Sequence, residues 1–285
     1  MKLLRHGPPG QEKPGLLDPD GTPRDASAIT TDYTPEFFAH GGPAAFTHLD
    51  PTSLPPVPAG TRLGPPIHQP RKILCIGLNF ADHAAETGTP VPDEPVVFMK
   101  PASAITGPTD PIVFPRDATQ VDWEVELAVV IAQPAKDLDD DDDVTPHIAG
   151  YCIANDVSER AFQKLRGGGQ WTKGKCCDTF LPLGPYLVTP DDPTLPPIND
   201  LAMTTDINGH RRQTGSPKTM IFDIPHLIRH LSGFLTLEPG DLLLTGTPAG
   251  VGAGMTPPQF LQPGDTVTLA ITALGQQHST CRAPV

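Results

Sequence analysis

Residues 122–131 read Asp-Trp-Glu-Val-Glu-Leu-Ala-Val-Val-Ile and place two glutamates, Glu124 and Glu126, two positions apart in an apolar run. The Val, Leu and Ile content predicts a buried β-strand. Because side chains at positions i and i+2 of a strand point to the same face, the two carboxylates should lie side by side. Two buried, ionised carboxylates repel each other and lose their hydration, which is costly unless a cation neutralises them. The segment therefore predicts a divalent metal site with oxygen ligands.

A third carboxylate completes this predicted site. Residues 150–156 form a second apolar, strand-like segment that ends at Asp156, just before a predicted helical turn. Glu124, Glu126 and Asp156 would fill about half of an octahedral Mg2+ or Mn2+ sphere and leave the rest to water and substrate. The alternative is that Glu124 and Glu126 lie on the solvated face of an edge strand. Strand periodicity alone does not separate these two interpretations.

Five further motifs surround the glutamate pair along the chain. They are GLNFADHAAE at 77–86, FMKP at 98–101, NDVSERAFQ at 155–163, KGKCCDTFLPLGP at 173–185 and TGTPAGVG at 245–252. Taken in this order, they resemble the fumarylacetoacetate hydrolase family from about residue 71 to about residue 274. The branch that the chain is most similar to is the short, acylpyruvase-like one, which includes the 2,4-diketo-3-deoxy-sugar-acid hydrolases. The chain departs from the commoner Gly-Lys-Ser-Phe-Asp of the family at Cys176 and Cys177, which puts substrate preference in question.

The resemblance implies an α+β, β-rich fold of the family type, a mixed β-sandwich roll. The 37 prolines and 27 glycines agree with this, since they predict many short elements joined by tight turns. We expect residues 1–66 to form a small N-terminal domain with a proline-rich linker, and residues 67–285 to form the catalytic domain. Residues 221–235 carry apolar side chains at helical spacing and predict an amphipathic helix. His226 and His230 on it are interpreted as surface or capping residues.

The resemblance also assigns roles to individual side chains. Glu124, Glu126 and Asp156 are expected to bind the metal, with Mg2+ or Mn2+ as the first candidates and Ca2+ as a third. His83 and Glu86, spaced i and i+3 so that both face one side of a short helix, are expected to activate a water molecule from a mobile lid.

Four more residues are expected to act on the substrate. Lys175 is predicted to stabilise the enolate that develops during bond cleavage. Arg160, Gln163 and Thr247 are predicted to contact the substrate. The alternatives are a purely structural turn for Thr247 and a surface helical pair with an ordinary local hydrogen bond for His83 and Glu86. For Lys100, in the FMKP motif, a plain surface position is an equal alternative.

The implied activity is metal-dependent hydrolysis of the C3–C4 bond of a 2,4-diketo acid, an acylpyruvate. The favoured substrate is a 2,4-diketo-3-deoxy sugar acid such as the fuconate or rhamnonate derivative, and the products are pyruvate and a carboxylic acid. The same metal site would also serve a ureidoglycolate lyase or a 2-oxo acid decarboxylase, isomerase or hydratase. A protein of another class, a non-catalytic module that binds oxo acids, is a minor alternative.

Composition restricts the partners. A net charge of −13 argues against nucleic-acid binding, and a mean hydropathy of −0.20 with no apolar run near ~20 residues argues against a membrane span. The N-terminus lacks the apolar stretch of a secretory signal, and five scattered cysteines favour a reducing compartment, so we expect a cytoplasmic protein. A small anionic oxo acid and a second copy of the chain, in a homodimer, are the expected partners. The acidic run 137–143 lacks the glycine and distal glutamate of an EF-hand and is interpreted as a solvated turn.

Overall fold

The computed structural model describes residues 1–88 and 90–284 and shows the expected α+β, strand-rich architecture. The strands are β1 Lys2–His6, β2 Lys13–Leu17, β3 Pro23–Asp25, β4 Leu63–Gly64, β5 Ile73–Gly77, β6 Val96–Lys100, β7 Ile105–Thr106, β8 Ile112–Val113, β9 Val121–Asp122, β10 Val125–Ile131, β11 Ile148–Asn155, β12 Ser158–Glu159, β13 Leu181–Pro182, β14 Leu187–Val188, β15 Met203–Ile207, β16 His210–Gly215, β17 Leu242–Leu244, β18 Thr266–Ile271 and β19 Gly275–Arg282. The α-helices are α1 Pro35–Ala39, α2 Ala81–Thr87, α3 Thr172–Lys175 and α4 Ile224–Phe234, and a π-helical turn covers Ala161–Leu165.

Two larger sheets and two strand pairs make up the β-structure of the described residues. The large sheet has the order β3-β2-β1-β14-β11-β10-β17-β5-β6, with β4 added beside β1. The second sheet has the order β16-β15-β18-β19-β8. Most neighbouring strands are antiparallel, while β17 with β5 and β19 with β8 are parallel, so both sheets are mixed as expected.

The strand β10 is the centre of the large sheet. It pairs with β11 on one side and β17 on the other, and all seven of its residues are buried. Such burial on both faces explains why its sequence reads as a continuous apolar run instead of an alternating one. The edge-strand alternative for this segment is therefore wrong.

The two faces of β10 contribute to different apolar clusters. Val125, Leu127 and Val129 pack with the second sheet and with α4, whereas Ala128 and Val130 pack on the opposite face. The first cluster also contains Leu269, from the middle of the second sheet. This face-to-face packing of two sheets is the predicted sandwich.

The N-terminal segment extends the large sheet. The backbone of β1 pairs with β14, and Leu3 and Tyr33 lie in the same apolar cluster as Ala128. Arg5 and Arg62 hold the segment internally, through ion pairs of 2.6 Å from Arg5 to Asp32 and 2.9 Å from Arg62 to Glu12. The domain boundary at residue 66 stays a prediction.

Helix α4 confirms the amphipathic pattern seen in residues 221–235 but begins later, at Ile224. The Asp223 side chain accepts a hydrogen bond of 2.9 Å from the backbone N–H of His226, which is a helix N-cap. Leu227 and Leu231 are buried, while His226 is exposed and stacks on Phe222. Among the described residues, none of the helices is long and apolar enough to cross a membrane.

Replacing Leu243 with alanine should destabilise the protein strongly, because Leu243 is fully buried in β17 between β10 and β5. We expect the free energy of unfolding to fall by ~2–5 kcal/mol, the usual cost of a buried leucine-to-alanine cavity. The matched control is Leu165→Ala, because Leu165 is 78% exposed; its effect should stay within ~0.5 kcal/mol. Denaturant unfolding measures both, and equal effects would contradict the assignment of β17 to the core.

Candidate metal centre and active site

Three carboxylates meet where β10 begins and β11 ends. Glu124 immediately precedes β10, Glu126 is its second residue, and Asp156 immediately follows β11. The antiparallel register pairs Val125 with Asn155, and the Asp156 N–H donates to the Glu124 carbonyl over 3.0 Å. One oxygen from each carboxylate lies within 4.8 Å of the others, and all three side chains are buried. The structure thus brings together the three residues that the sequence predicted as metal ligands.

Three cationic side chains surround this acidic triad, which we define as Glu124, Glu126 and Asp156. The Lys175 Nζ atom lies 2.6 Å from Glu124 and 2.5 Å from Asp156. Arg160 forms an ion pair with Glu124 over 2.6 Å. Lys100 donates to Asp156 over 2.7 Å and is 3% exposed, so the surface position considered for Lys100 is wrong.

The surroundings shift the pKa values of Glu124 and Glu126 in opposite directions. Burial on its own would raise the pKa of Glu124, but the charges of Lys175 and Arg160 outweigh it and hold that pKa well below its usual range. Burial raises the pKa of Glu126 well above its usual range, and the charges of Asp156 and Glu124 raise it further. Burial would lower the pKa of Lys175, yet the charges of Asp156 and Glu124 raise it, which keeps the ammonium charged.

Glu126 is the member of the triad that a cation would stabilise most. Its Oε2 atom accepts a hydrogen bond of 2.8 Å from the Gly246 N–H, but the described residues show no salt bridge to it. Three buried carboxylates offer the hard oxygen ligands that Mg2+ and Mn2+ prefer. The residues present therefore fit a divalent metal ion, which would offset the repulsion that Glu126 experiences.

The second predicted group, His83 and Glu86, lies on α2. The His83 Nδ1 atom is 3.3 Å from Glu86 Oε2, and His83 is 8% exposed. The other carboxylate oxygen, Glu86 Oε1, accepts a hydrogen bond of 2.9 Å from the Gly250 N–H. The short helix expected from the i, i+3 spacing is thus present, and it is attached at Glu86 to the loop that follows β17.

Asn79 anchors the chain just before α2. Its side-chain amide donates to the Thr245 carbonyl over 2.8 Å and to the Phe222 carbonyl over 3.0 Å. The amide oxygen of Asn79 accepts from the Phe222 N–H over 2.8 Å. The position of α2 therefore depends on both the loop after β17 and the segment before α4.

A cavity of about 200 Å³ connects these groups. Most of the predicted catalytic and binding residues line it: His83, Glu124, Glu126, Arg160, Gln163, Lys175 and Thr247. Lys164, Trp171 and Phe98 are further lining residues. The Trp171 ring meets Phe98 edge-on with centroids 5.4 Å apart, and a Cβ atom at Gly77 would lie 2.4 Å from that ring. Gly77 thus provides the space for one aromatic wall of the cavity.

The predicted substrate contacts differ in how their polar atoms are engaged. Arg160 donates to Asp122 over 2.8 Å and to Gln163 over 3.1 Å. The Thr247 hydroxyl donates to the Val125 carbonyl over 2.8 Å and accepts from Gln213 over 2.8 Å. The single hydroxyl proton of Thr247 thus serves the structural role left open by the sequence. Contact with substrate stays a prediction for all three residues.

Sequence reasoning missed two buried polar residues that organise the site. The Asp122 carboxylate accepts from Arg160 and from three backbone N–H groups, those of Trp123, Gly252 and Ala253. Gln213, on β16, connects the Val125 N–H to Thr247. Asp122 begins the DWEVE segment and could have been noticed as a third acid there. Gln213 gives no sequence signal, since the other residues of its strand are mostly polar and are exposed or half-buried.

Fold and site together define a β-rich protein with a buried acidic triad and an adjacent histidine–glutamate pair. The family described as "Fumarylacetoacetate (FAA) hydrolase C-terminal" matches residues 72–282. A Burkholderia multivorans protein named only "Putative hydrolase" is 50% identical over 284 residues, which cover 99% of each chain. The chain belongs to the fumarylacetoacetate hydrolase family.

Solved structures agree with this assignment. Fumarylacetoacetate hydrolase from Exiguobacterium antarcticum superimposes with a TM-score of 0.88 at 36% identity, covering 99% of each chain. The 2-hydroxyhepta-2,4-diene-1,7-dioate isomerase of Mycobacterium marinum gives 0.74 at 33% identity, over 99% of this chain and 98% of its own. Maleylpyruvate hydrolase from Sphingobium, solved with manganese(II) and pyruvate, gives 0.81 at 26% identity over 100% of each chain. The protein is thus a member of an enzyme family whose structures include hydrolases and an isomerase.

Removing the Glu126 charge should abolish divalent-metal binding at the triad. We expect Mn2+ at ~100 times its dissociation constant to stabilise the native protein by ~2.7 kcal/mol, and to leave Glu126→Gln unshifted. The Tm with and without Mn2+ measures this. Asp140→Asn, in the exposed acidic run, is the control and should keep the full shift. An equal Mn2+ shift in Glu126→Gln, or its loss in Asp140→Asn, would contradict the assignment.

Proposed function

We propose that the protein hydrolyses the C3–C4 bond of a 2,4-diketo acid, an acylpyruvate, to give pyruvate and a carboxylic acid. The observation that carries this proposal is the position of His83, which lines one cavity with Glu124, Glu126 and Lys175. The Glu86 carboxylate lies 3.3 Å from the His83 ring. Hydrolysis needs a base for water, a positive site for the developing enolate, and space for the substrate between them. This cavity contains candidates for each.

The base is His83. When Nδ1 donates its proton to Glu86, the other ring nitrogen, Nε2, can accept a proton from water. Glu86 fixes the tautomer and stabilises the imidazolium that results. The hydroxide equivalent adds to C4, and the π electrons of the C4 carbonyl move onto its oxygen. When this carbonyl re-forms, the C3–C4 bond breaks and its electron pair moves into the enolate of pyruvate. Protonation of C3 then completes the reaction, with one water consumed.

The enolate needs positive charge close to its oxygen. Lys175 is buried and carries a raised pKa, so its ammonium is available as a fixed cation beside the triad. A divalent metal at the triad, which we propose to be Mg2+ or Mn2+ with Ca2+ as a third candidate, supplies Lewis acidity for the same charge. Arg160 adds a second positive side chain, a guanidinium, to the cavity lining.

The substituent on C4 is proposed to be polar. Arg160 and Gln163 line the cavity, and Lys164 adds an exposed ammonium whose pKa is lowered by surrounding protein and by the Arg160 charge. Such donors suit the hydroxyl groups of a 2,4-diketo-3-deoxy sugar acid, for example the fuconate or rhamnonate derivative. Thr247, which also lines the cavity, is proposed to contact the substrate carboxylate through its backbone.

Isomerisation of an unsaturated oxo acid is the second candidate. It is favoured by the similarity to the Mycobacterium marinum isomerase, which covers nearly the full length of both chains. An isomerase moves a proton without consuming water, so it would use His83 on carbon and release no pyruvate. The two reactions are therefore distinguished by their products.

We propose a cytoplasmic homodimer that acts on a small anionic oxo acid and does not bind nucleic acid. The five cysteines are all free thiols in the structure, which suits a reducing compartment. The net charge of −13 suits a protein without nucleic-acid partners.

The activity is tested by pyruvate release from a panel of simple acylpyruvates and 2,4-diketo-3-deoxy sugar acids. We expect release that depends on Mg2+ or Mn2+ and stops with a chelator, because the enolate charge then lacks its main stabilisation. Coupled lactate dehydrogenase measures the product. Turnover unaffected by chelator would contradict the metal dependence, and isomerised product without pyruvate would favour the second candidate.

Replacing His83 with alanine should lower kcat by ~10²–10⁴, the usual range for a lost general base. Metal affinity, measured by titration calorimetry, should remain, because His83 is not one of the three carboxylate ligands. The control is His147→Ala, which should keep full activity because His147 is only half-buried and does not line the cavity. Its Nδ1 atom lies 3.3 Å from the Gln133 carbonyl oxygen. Loss of metal by His83→Ala would show that base and metal ligands were assigned wrongly.

A further inference from the structure

The loop of residues 250–254 contacts the catalytic helix α2 through Glu86. Glu86 Oε1 accepts the Gly250 N–H over 2.9 Å, while Oε2 lies 3.3 Å from His83. One carboxylate therefore contacts both the imidazole and this loop. Any movement of the loop relative to α2 would change the orientation of His83.

Gly254 provides the space that the Glu86 carboxylate occupies. A Cβ atom at Gly254 would lie 2.5 Å from Glu86 Cδ, 2.7 Å from Oε2 and 2.8 Å from Cγ. Gly254 does not have a left-handed φ, so its backbone conformation is open to any residue. The absence of a side chain matters here because Glu86 packs where that side chain would be.

The side chains of Asp122 and Trp123 hold the loop through hydrogen bonds to its backbone. The Asp122 Oδ1 and Oδ2 atoms accept the N–H groups of Gly252 and Ala253 over 2.7 and 3.0 Å. The Trp123 indole N–H donates to the Gly250 carbonyl over 3.0 Å. Asp122 is fully buried, so these bonds are shielded from competing water.

The same Asp122 carboxylate orients Arg160. It accepts from Arg160 Nε over 2.8 Å, and the Arg160 guanidinium extends to Glu124 over 2.6 Å. One buried carboxylate thus holds the loop that contacts Glu86 and the arginine that contacts the triad.

On the basis of the proposed function, we propose that the 250–254 loop is a docking platform for α2, with Gly254 and Asp122 as positioning residues. Gly254 leaves room for the Glu86 side chain. Asp122 fixes the position of the loop relative to Arg160, because its carboxylate accepts hydrogen bonds from both. Docking orients His83 over the triad, so the water-activating pair and the charge-stabilising groups are aligned by a single buried carboxylate. Neither residue touches the reacting atoms.

The test compares Gly254→Ala with Gly233→Ala. Gly233 lies in α4, and beyond the adjacent backbone of that helix no atom lies within 4 Å of an added Cβ, so its variant controls for the glycine-to-alanine change itself. In Gly254→Ala we expect kcat to fall ~10–100-fold, as is usual for a small misplacement of a catalytic group, with KM and Mn2+ affinity nearly unchanged. The Tm should change little, because Glu86 is a flexible side chain that can move aside.

Hydrogen exchange separates this proposal from the proposed function. The amides of residues 81–88 should exchange several-fold faster in Gly254→Ala than in the native protein or Gly233→Ala, whatever reaction the enzyme catalyses. In a Glu86→Ala background, adding Gly254→Ala should have no further effect on exchange or kcat, because the two changes act through one contact. Unchanged exchange in Gly254→Ala, or a full additional effect in the Glu86→Ala background, would overturn the docking role. Absence of pyruvate from the native protein would overturn only the proposed reaction.

Discussion

Repulsion among buried carboxylates is the constraint on which the rest of the site depends. Glu124, Glu126 and Asp156 place oxygen atoms within 4.8 Å of one another, and all three side chains are buried. Removing such charges from water is costly, and like charges add to the cost. Lys100, Arg160 and Lys175 compensate Glu124 and Asp156, but Glu126 keeps a raised pKa. A divalent cation at the triad would supply the missing compensation, and in the proposed reaction it would also stabilise the enolate.

The pairing of β10 with β11 brings the three carboxylates of the triad together. β10 is covered on both sides, so its apolar side chains anchor it in the centre of the large sheet. Its antiparallel pairing with β11 places the start of one strand beside the end of the other, which brings Asp156 next to Glu124. Helix α2 follows the end of β5, and Asn79 and Glu86 attach it to the loop after β17. Strands β10 and β11 thus position the three carboxylates, while a short helix carries His83, the proposed base.

Much of this arrangement was predictable because it depends on short-range patterns. The spacing of Glu124 and Glu126 determines that they share a face in any strand, and the i, i+3 spacing of His83 and Glu86 does the same on a helix. The N-terminal packing was not predictable in this way, because β1 pairs with β14, more than 180 residues along the chain. The burial of Lys100 and the roles of Asp122 and Gln213 likewise depend on contacts between distant segments. The acidic residue Asp122 carries no local pattern that distinguishes a structural carboxylate from a metal ligand.

The most direct test of the central claim is anomalous diffraction from crystals grown with Mn2+. We expect one strong anomalous peak bounded by the carboxylates of Glu124, Glu126 and Asp156, and no peak at this position in crystals of Asp156→Asn. Such a result would show that the acidic triad exists to hold a divalent ion. A native crystal without a peak at the triad, at a Mn2+ concentration that saturates the protein in solution, would contradict the account.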